Sequence, residues 1–533
     1  MTNPMYLVTA DEMRAFDTAA IKEYGIAGVV LMENAGRTTF NILREYLGGD
    51  VQGLKVSVVA GPGNNGGDGY VIARYLINHG ALVHTFLLCP REKIKGDALA
   101  NLQILEKMTG DIFVVDDAES LEEASSVWLD SEVIVDAILG TGIRSEVRAP
   151  FRDAILEINR CPGVRLAVDL PSGLDADTGR ILGVCVEADL TVTYGFAKLG
   201  MALHPGIDYC GQVQIVDISI PQQVVERNPP KATLIHDPDL TEYISLRENA
   251  EAHKGVFGHL LVVGGSPGKT GAPAMAARAA TRIGAGLVTV GVPASLNPIL
   301  EAKLTEEMTE PLPEGIPGYL GEAAIDRIMS LAEGKRCIVL GPGLSTQDGA
   351  AAIVLGVLGS YSGWVVIDAD GLNVLEGRLD ALNSSAARVV ITPHPGEMGR
   401  LTSLASREVQ KNRLGLARNF ARDYGVWVVL KGSRTIIASP DSTIWINGTG
   451  NPWMASGGQG DVLSGILGGL LVQGIPPEQA LPLGVYLHGL AADAIVERTG
   501  GRPVPATDVI GELPALISAL MENESVSSSE EEH

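Results

Sequence analysis

Short apolar runs that each end in glycine and polar residues set the strongest limit on what this chain can fold into. In the first half these runs are 55–60, 132–139 and 164–170, and helical segments separate them. Runs that are apolar on both faces are typical of parallel sheets covered by helices on both sides. Ligands bind such sheets beyond the carboxyl ends of the strands. We therefore predict an α/β fold whose functional groups lie in the loops that follow the strands.

The second half repeats this pattern without repeating the sequence. Its apolar runs are 259–265, 336–341, 364–370, 388–393 and 426–432. Between the halves, residues 221–254 are rich in proline and charge and lack a strong apolar period, which is typical of a connection between domains. A chain of 533 residues is also too long for one ordinary domain. We predict two α/β domains, at 1–225 and 226–522, and a disordered acidic tail at 523–533.

Composition and charge exclude several classes of function. The net charge of −24 argues against a nucleic-acid binder, whose affinity depends on neutralising phosphates. No apolar segment is long enough to span a bilayer, and the N-terminus lacks the apolar core of a signal peptide. The five cysteines are scattered singly, which is typical of a protein in a reducing compartment. We predict a cytoplasmic enzyme without membrane or nucleic-acid partners.

The loop GPGNNGGDG at 61–69 follows the first apolar run and leads into a helix. It satisfies the Gly-x-Gly-x-x-Gly pattern of dinucleotide-binding loops. The acidic residue that binds ribose about 20 residues later in that pattern is missing, because the next run ends in Cys89-Pro90-Arg91. An ordinary NAD-dehydrogenase site is therefore not predicted. The alternative for this loop is a tight turn whose polar side chains face water.

Two further strand ends carry similar groups. Asp136 leads into GTGIRSE at 140–146, and Asp169 leads into PSGLDADTG at 171–179. One aspartate at the end of a buried strand is usually a solvated cap. Three such loops at one sheet edge, however, supply backbone N–H donors for phosphate and oxygen ligands for a hard cation. These loops contain no His or Cys, so we do not expect a soft metal.

These motifs resemble those of NAD(P)H-hydrate epimerases, and the resemblance covers about 5–220. It implies a Rossmann-like three-layer sandwich with a mostly parallel sheet, and an enzyme that interconverts the R and S epimers of hydrated NADH and NADPH. It also implies a potassium ion held by Asn65, Asp136 and Ser172. The residues that it implies for substrate binding are Asn64, Asn65, Gly66, Gly67, Asp68, Gly140, Thr141, Gly142, Ile143, Arg144, Ser145, Glu146 and Asp169. Asp169 is the candidate for proton transfer, because its carboxylate follows a strand end beside the glycine loops.

In the second half, VGGSPGKTGA at 263–272 looks like a P-loop but lacks its first glycine, because Val263 occupies that position. The better phosphate site is the glycine turn at 457–460, which precedes a helix that begins near Asp461. A glycine turn at a helix N-terminus presents free N–H groups and the positive end of the helix dipole. Asp461 is either an ordinary helix N-terminal acid or the base that deprotonates a hydroxyl attacking the γ-phosphate. We favour the base.

This turn resembles the GxGD anion hole of ribokinase-like kinases, and motifs over about 235–520 resemble those of ADP/ATP-dependent NAD(P)H-hydrate dehydratases. The motifs are HKGVFGHLLVVGGS, GPGL, DADGLN, TPHPGEMGRL and LKGSRT. The resemblance implies a ribokinase-like α/β/α domain. The contacts that it implies are Ala272, Gly343, His394 and Asp461 for the hydrated nucleotide, and Lys431, Gly432, Ser433, Arg434, Thr435 and Gly460 for the adenine nucleotide. Trp453 and Gln459 depart from the glycine and threonine frequent in the family, and we expect Gln459 to affect nucleotide affinity.

A kinase-like site can dehydrate because phosphate leaves more readily than hydroxide. The resemblance implies that Asp461 promotes phosphorylation of the C6 hydroxyl of the S epimer by ADP or ATP, after which elimination restores the dihydronicotinamide ring. Mg²⁺ and the helix N-terminus would stabilise the transferring phosphoryl group, with Glu397 as an indirect contributor to the metal site. The epimerase would recycle the R epimer.

Two other functions fit the same motifs. One is a ribokinase-type hydroxyl kinase with a regulatory nucleotide-binding N-terminal domain, which would accumulate a phosphorylated product. The other is a non-catalytic nucleotide sensor and scaffold, against which the intact Asp169 and Asp461 argue. We further expect a homo-oligomer, with which the glycine-rich helix surfaces are compatible.

Overall fold

The computed structural model describes residues 5–236, 238–248 and 251–530, and the chain forms two compact units. The first unit covers Tyr6–Ala232, and the second begins at Thr233. The sequence-based boundary between 225 and 226 falls inside a helix of the first unit, Gln222–Arg227. The proline-rich segment that suggested this boundary continues through Pro230. The beginning of that segment therefore does not mark the last residue of the unit.

The first unit is built on a parallel sheet. Its strands are β1 (Met5–Val8), β2 (Lys55–Ala60), β3 (Leu82–Leu87), β4 (Ile112–Val114), β5 (Val133–Ala137), β6 (Val164–Val168), β7 (Leu190–Tyr194), β8 (Ala197–Lys198) and β9 (Gln212–Val216). Its helices are α1 (Ala10–Lys22), α2 (Gly28–Tyr46), α3 (Asn64–Asn78), α4 (Gly96–Leu105), α5 (Ala118–Leu129), α6 (Phe151–Ile158) and α7 (Gln222–Arg227). Seven strands follow one another in the order β4-β3-β2-β5-β6-β7-β9, with every neighbouring pair parallel. A separate parallel pairing joins β1 to β8.

The direction of strand addition reverses between β2 and β5, which are neighbours although β3 and β4 lie between them in sequence. Such a reversal opens a crevice at the carboxyl ends of the two strands. Val58, Val59 and Val135 in these strands are completely buried. The middle of the sheet is therefore core, and the loops at the strand ends are the parts available to a ligand.

The second unit is also built on a mostly parallel sheet. Its strands are β10 (Ala232–Ile235), β11 (His259–Val263), β12 (Leu287–Pro293), β13 (Met308–Leu312), β14 (Cys337–Leu340), β15 (Trp364–Ile367), β16 (Arg388–Ile391), β17 (Trp427–Leu430), β18 (Ile436–Ala438) and β19 (Ile444–Asn447). Its helices are α8 (Thr241–Glu248), α9 (Gly271–Arg282), α10 (Asn297–Lys303), α11 (Ala324–Ala332), α12 (Asp348–Ser360), α13 (Asp370–Asn373), α14 (Asp380–Asn383), α15 (Pro395–Thr402), α16 (Ser406–Lys411), α17 (Arg413–Tyr424), α18 (Gln459–Val472), α19 (Pro477–Thr499) and α20 (Ala506–Glu530). The order β13-β12-β11-β14-β15-β16-β17 is parallel, and β18 and β19 continue it in antiparallel pairing.

Helix α18 packs closely on two sides, and glycines make this possible. A Cβ at Gly465 would lie 2.1 Å from the backbone oxygen of Ala276 in α9. A Cβ at Gly468 would lie 2.4 Å from the side chain of Val339 in β14. Larger residues would push the helix away from both neighbours. The glycines thus fix α18, and with it the N-terminus at which phosphate binding is predicted.

These observations confirm the predicted fold class, two α/β domains with mostly parallel sheets. Across the described ranges, none of the helices is both long and apolar enough to cross a bilayer. Helix α20 extends through Glu530 and so includes most of the segment predicted to be a disordered tail. Residues 531–533 of that segment lie outside the described residues.

Candidate active sites

The first unit has a cavity of about 540 Å³ at the carboxyl ends of its central strands. Its wall includes the start of the glycine loop after β2, the segment 138–143 after β5, and Asp169 after β6. Helices α1 and α2 close it on another side. The cavity therefore occupies the crevice that the strand order creates.

Two glycines of the loop allow it to pack closely against its neighbours. A Cβ at Gly66 would lie 2.1 Å from the backbone oxygen of Gly61, and one at Gly67 would lie 2.6 Å from the side chain of Met32. Neither distance is compatible with a side chain unless the surroundings move. Gly66 and Gly67 hold the loop against the sheet and α2 rather than forming the cavity wall.

Asp136 is completely buried at the end of β5. Ser172 donates its backbone N–H to Oδ2 of this carboxylate at 2.8 Å and its hydroxyl to Oδ1 at 2.6 Å. Burial raises the pKa of Asp136 to about 6, although the hydrogen bonds from Ser172 oppose the rise. Nearby, the Asn65 side chain lies against Gly140, and its buried Nδ2 has no hydrogen-bond partner among the described residues. Buried anionic and neutral oxygens with neutral hydrogen-bond partners fit a potassium ion, whose charge would offset the burial of the carboxylate.

Asp169 has a backbone φ of 64°, in the left-handed region that few residues other than glycine adopt and that clusters at functional sites. Its Oδ1 forms an ion pair with the ammonium group of Lys198. Lys198 is completely buried and also donates to Oγ1 of Thr193 at 2.9 Å and to the carbonyl of Tyr194 at 3.0 Å. Asp169 is thus anchored at the cavity wall by a buried ammonium group.

Two more carboxyl groups line the cavity, those of Asp17 and Asp68. Burial raises the pKa of Asp17 to about 6, while the charge of Lys198 opposes the rise and that of Asp169 adds to it. Burial also raises the pKa of Asp68 well above its ordinary value, and Asp169 and Asp17 add to the rise. The cavity therefore contains several acidic side chains in unequal electrostatic environments.

The structure brings most of the predicted epimerase residues together. Those that line the cavity are Asn64, Asn65, Asp68, Gly140, Thr141, Gly142, Ile143 and Asp169. Arg144, Ser145 and Glu146 are exposed and lie outside the cavity wall. The guanidinium group of Arg144 pairs with Asp177 at 2.5 Å and with Asp11 at 3.1 Å. These ion pairs would have to rearrange before Arg144 could contact a ligand in the cavity.

In the second unit, the glycine turn ends at Gly458, which has a φ of 93° and directly precedes α18. Only glycine adopts this conformation readily. A Cβ at Gly460, in the first turn, would lie 3.1 Å from Nζ of Lys431. The structure thus places the ammonium group of Lys431 beside the helix N-terminus, where free N–H groups and the helix dipole favour an anion.

Lys431 also contacts two carboxylates. Its Nζ lies 2.6 Å from Oδ1 of Asp368, which is 1% exposed, and 3.8 Å from Oε2 of Glu397. Burial lowers the pKa of Lys431, but the charges of Asp368 and Glu397 raise it above its ordinary value overall. Burial raises the pKa of Asp461 to about 7, and the charge of Asp368 adds to the rise. Asp461 can therefore exchange a proton near neutral pH, as a general base requires.

His394 caps helix α15. Its Nδ1 accepts the backbone N–H groups of Gly396 at 2.9 Å and Glu397 at 3.3 Å, and the Glu397 carboxylate accepts the N–H of His394 at 2.8 Å. Burial lowers the pKa of His394, and the nearby Lys431 adds to this effect. The imidazole is therefore neutral at pH 7, and it orients Glu397 toward Lys431.

The remaining predicted residues lie in two turns. A Cβ at Gly343 would lie 3.4 Å from that of Ala272, so the two residues predicted to line the substrate pocket are neighbours. The turn at 431–435 is held by Arg413, which donates to the carbonyl of Ser433 at 2.5 Å. Thr435 closes the same turn by donating its hydroxyl to the carbonyl of Gly432 at 3.0 Å, and Arg434 has a φ of 55°. Their contacts with nucleotide stay predictions.

Comparison with known proteins gives the family. Residues 260–515 match the family model described as NAD(P)H-hydrate dehydratase, and residues 28–200 match the one described as YjeF-related protein N-terminus. A bifunctional NAD(P)H-hydrate repair enzyme from Moorella thermoacetica is 42% identical over 518 residues, which cover 97% of this chain and 98% of the relative. Another from Thermofilum pendens is 34% identical and covers 97% of each chain. The chain belongs to the family of bifunctional NAD(P)H-hydrate repair enzymes.

Solved structures match part of this repair enzyme. An ADP/ATP-dependent NAD(P)H-hydrate dehydratase from Bacillus subtilis, co-crystallised with ATP and Mg²⁺, is 30% identical with a TM-score of 0.45 and covers 54% of this chain and 99% of its own. A ribokinase-like superfamily protein from Enterococcus faecalis is 27% identical with a TM-score of 0.46 and covers 54% and 96%.

Three residues of these sites, Asp17, Lys198 and Asp368, are not among those predicted from the sequence of this repair enzyme. Asp17 lies on α1, outside every motif, and Asp368 was part of the DADGLN motif without a role of its own. The sequence does give an indication of the role of Lys198, because this residue is the only charged one in the apolar stretch between Phe196 and Leu203. Lysine is almost never fully buried unless it is paired, so such a position indicates a buried acidic partner.

Proposed function

We propose that the first unit interconverts the R and S epimers of hydrated NADH and NADPH, and that the second unit dehydrates the S epimer at the expense of ADP or ATP. One observation carries the proposal. Each unit has a candidate proton acceptor, Asp169 or Asp461, near a glycine turn that leads into a helix and in the electrostatic field of a lysine. Two such sites are what two successive reactions on one dinucleotide require.

In the first unit, the glycine loop and the N-terminus of α3 bind the phosphates of the substrate. Asp169 accepts the proton of the C6 hydroxyl, which begins the inversion at C6. Asn65, Asp136 and Ser172 would hold a potassium ion. When bound, this ion would supply positive charge against the substrate phosphates.

In the second unit, Asp461 accepts the proton of the C6 hydroxyl as that oxygen attacks the terminal phosphoryl group of the adenine nucleotide. The N–H groups of the first turn of α18 and the ammonium group of Lys431 stabilise the negative charge that develops. The phosphate then leaves C6 with the C6–O electron pair, a proton leaves C5, and the C5=C6 double bond of the dihydronicotinamide ring is restored.

The carboxylates of Asp368 and Glu397 would hold Mg²⁺ in this site. Both are buried oxygen ligands beside the glycine turn, and carboxylate oxygens are what Mg²⁺ prefers. When bound, Mg²⁺ supplies positive charge to the nucleotide phosphates. The turn at 431–435 would contact the adenine nucleotide itself.

A simple assay tests both activities. The purified chain is mixed with the S epimer, Mg²⁺ and ADP or ATP, and the absorbance of the restored dihydronicotinamide ring is followed. The S epimer should be repaired directly, and the R epimer at a rate set by epimerisation. Asp169→Asn should slow only repair of the R epimer. Failure to restore the ring from the S epimer would refute the proposal, and accumulation of a phosphorylated product would favour a hydroxyl kinase.

We also propose that the enzyme acts in the cytoplasm and forms a homo-oligomer. The five cysteines are free and buried in the structure, as expected where disulfides do not form. Light scattering of the purified chain would test the oligomeric state, and a mass equal to one chain would refute it.

A further inference from the structure

The epimerase cavity contains more proton-bearing groups than a single base requires. Inversion at C6 needs a group that accepts a proton and a second group that donates one, because C6 carries both a hydroxyl and the ring nitrogen N1. The sequence motifs indicate a candidate only for the group that accepts a proton, Asp169. The donor must therefore come from the other titratable side chains of the same cavity. This inference rests on the proposed epimerase function.

The contacts of Lys198 indicate that Asp169 is the proton acceptor. Its ammonium group has three hydrogens, and the structure shows three acceptors for them, in Asp169, Thr193 and Tyr194. Since Lys198 is completely buried, this positive charge is not dispersed by water. It stabilises the negative charge of Asp169 in particular, because only that partner is anionic.

Helix α1 places Asp17 in the wall of the same cavity. A capping box between Thr9 and Glu12 fixes the start of this helix. Met13, Asp17 and Ile21 follow at intervals of four residues and all line the cavity, so one face of the helix is turned to the substrate. Asp17 is the carboxyl group on that face.

Among the described residues, no lysine or arginine forms an ion pair with Asp17, although the charge of Lys198 lowers its pKa. The charged and titratable groups that line the cavity with it are Lys198 of β8, Asp169 after β6, Asp68 of α3, Asp97 of α4, Tyr194 of β7 and Arg14 of its own helix. Lys198 is already bound to Asp169. Burial raises the pKa of Asp17 to about 6, so the protonated acid remains accessible near neutral pH, whereas the more deeply buried Asp68 has a pKa raised further by the same carboxylates.

We propose that Asp17 is the proton donor that works with Asp169 in this cavity, and that Lys198 is the positioning residue that holds the Asp169 carboxyl group in place. Pairs of acids whose environments differ in this way are typical of acid–base catalysis.

The step balances without an added reactant. Asp169 takes the proton of the C6 hydroxyl, the C6–N1 bond breaks with its electron pair on N1, and Asp17 gives its proton to N1. The product is an open aldehyde. After rotation about C5–C6, N1 attacks the other face of the carbonyl carbon and returns its proton to Asp17, while Asp169 returns its proton to the oxygen.

Asp17→Asn tests the donor, with Glu23→Gln as the matched control. Both variants change one acid to its amide on or next to α1, but Glu23 is exposed at the end of the helix and pairs with Arg227. With pure R epimer, ATP and Mg²⁺, Asp17→Asn should lower the kcat of epimerisation about 100-fold or more, with KM within about threefold. Glu23→Gln should match the wild type. Dehydration of the S epimer, on the other unit, reports the integrity of the rest of the chain.

The pH profile separates a donor from a merely structural residue. In the wild type, kcat/KM for the R epimer should fall as pH rises through the pKa of Asp17, and this limb should vanish in Asp17→Asn and return in Asp17→Glu. Lys198→Arg should keep more activity than Lys198→Met. An unchanged limb in Asp17→Asn, or its loss in Asp68→Asn alone, would overturn the assignment. If the wild type itself fails to epimerise, the proposed function fails instead.

Discussion

Replacing Asp461 with asparagine should stop dehydration and at the same time stabilise the second unit above neutral pH. Asp461 lies in the first turn of α18, in the field of the buried Asp368 and Lys431. Burial raises its pKa from 3.8 to about 7, with a further rise from Asp368 and a partial reversal by Lys431. The folded chain therefore holds a carboxylate at pH 8 that this environment disfavours.

The size of the effect follows from this difference in pKa. Between pH 3.8 and about 7 the folded state keeps a proton on Asp461 that the unfolded state has lost, so the free energy of unfolding falls as pH rises. A pKa difference of about 3 corresponds to about 4 kcal/mol, since each pH unit contributes about 1.4 kcal/mol. The loss is complete above pH 7. Asparagine has no charge to bury, so Asp461→Asn should gain up to about 4 kcal/mol at pH 8 and nothing near pH 4.

Urea unfolding of the wild type and Asp461→Asn at pH 5, 6.5 and 8 measures this gain. Trp364, Trp427, Trp445 and Trp453, four of the five tryptophans, belong to the second unit, so tryptophan fluorescence reports mainly on it. The same variant should lose about 10²- to 10⁴-fold in the kcat of dehydration and still convert the R epimer to the S epimer. Lower stability than the wild type at pH 8, or the same difference at every pH, would refute the electrostatic reasoning.

Three other substitutions test the packing and charge of the sites. Lys431→Met removes the partner of the buried Asp368 carboxylate and should lower the free energy of unfolding by about 3–5 kcal/mol, whereas Lys269→Met, in a more exposed pair with Asp370, should cost about 1 kcal/mol or less. Ser172→Ala removes the hydroxyl that donates to Oδ1 of Asp136 but keeps the backbone N–H that donates to Oδ2, and it should raise the potassium concentration needed for half-maximal epimerisation; an unchanged potassium titration would contradict the ion site. Gly66→Ala should lower the melting temperature of the first unit, because its Cβ would lie 2.1 Å from a backbone oxygen, whereas Gly63→Ala meets nothing within 4 Å and should melt like the wild type.

The sequence was sufficient to predict the fold class and the loops of the first site, for a physical reason. Strand ends in a parallel sheet share one edge, so the glycine loop after β2, Asp136 at the end of β5 and Asp169 after β6 had to converge. Asp17 and Lys198 obey no such rule. Asp17 reaches the cavity through the packing of α1, and Lys198 reaches Asp169 across 29 residues of chain, a contact that only tertiary structure specifies.

Gln459, in the second unit, is another residue whose contacts are specified only by the tertiary structure. Its position in the glycine turn led us to expect an effect on nucleotide affinity. In the structure its Nε2 donates to the carbonyl of Val504 at 2.9 Å and to the hydroxyl of Ser456 at 3.3 Å, so the side chain ties the turn to the segment before α20. Any influence on nucleotide would therefore pass through the backbone of the turn, which a sequence pattern does not reveal.

Each unit has a lysine beside its candidate proton acceptor, but the two lysines are paired differently, and the difference matches the chemistry proposed for each. In the first unit Lys198 is paired with Asp169 itself, which anchors the proton acceptor. In the second unit Lys431 is paired with Asp368, and burial raises the pKa of Asp461 to about 7, with only partial opposition from the charge of Lys431. An epimerisation returns every proton it takes and needs an acid and a base at once. A phosphoryl transfer needs one group that can take up a proton and later release it to solvent. A carboxyl group whose pKa is close to the pH of the medium meets this requirement.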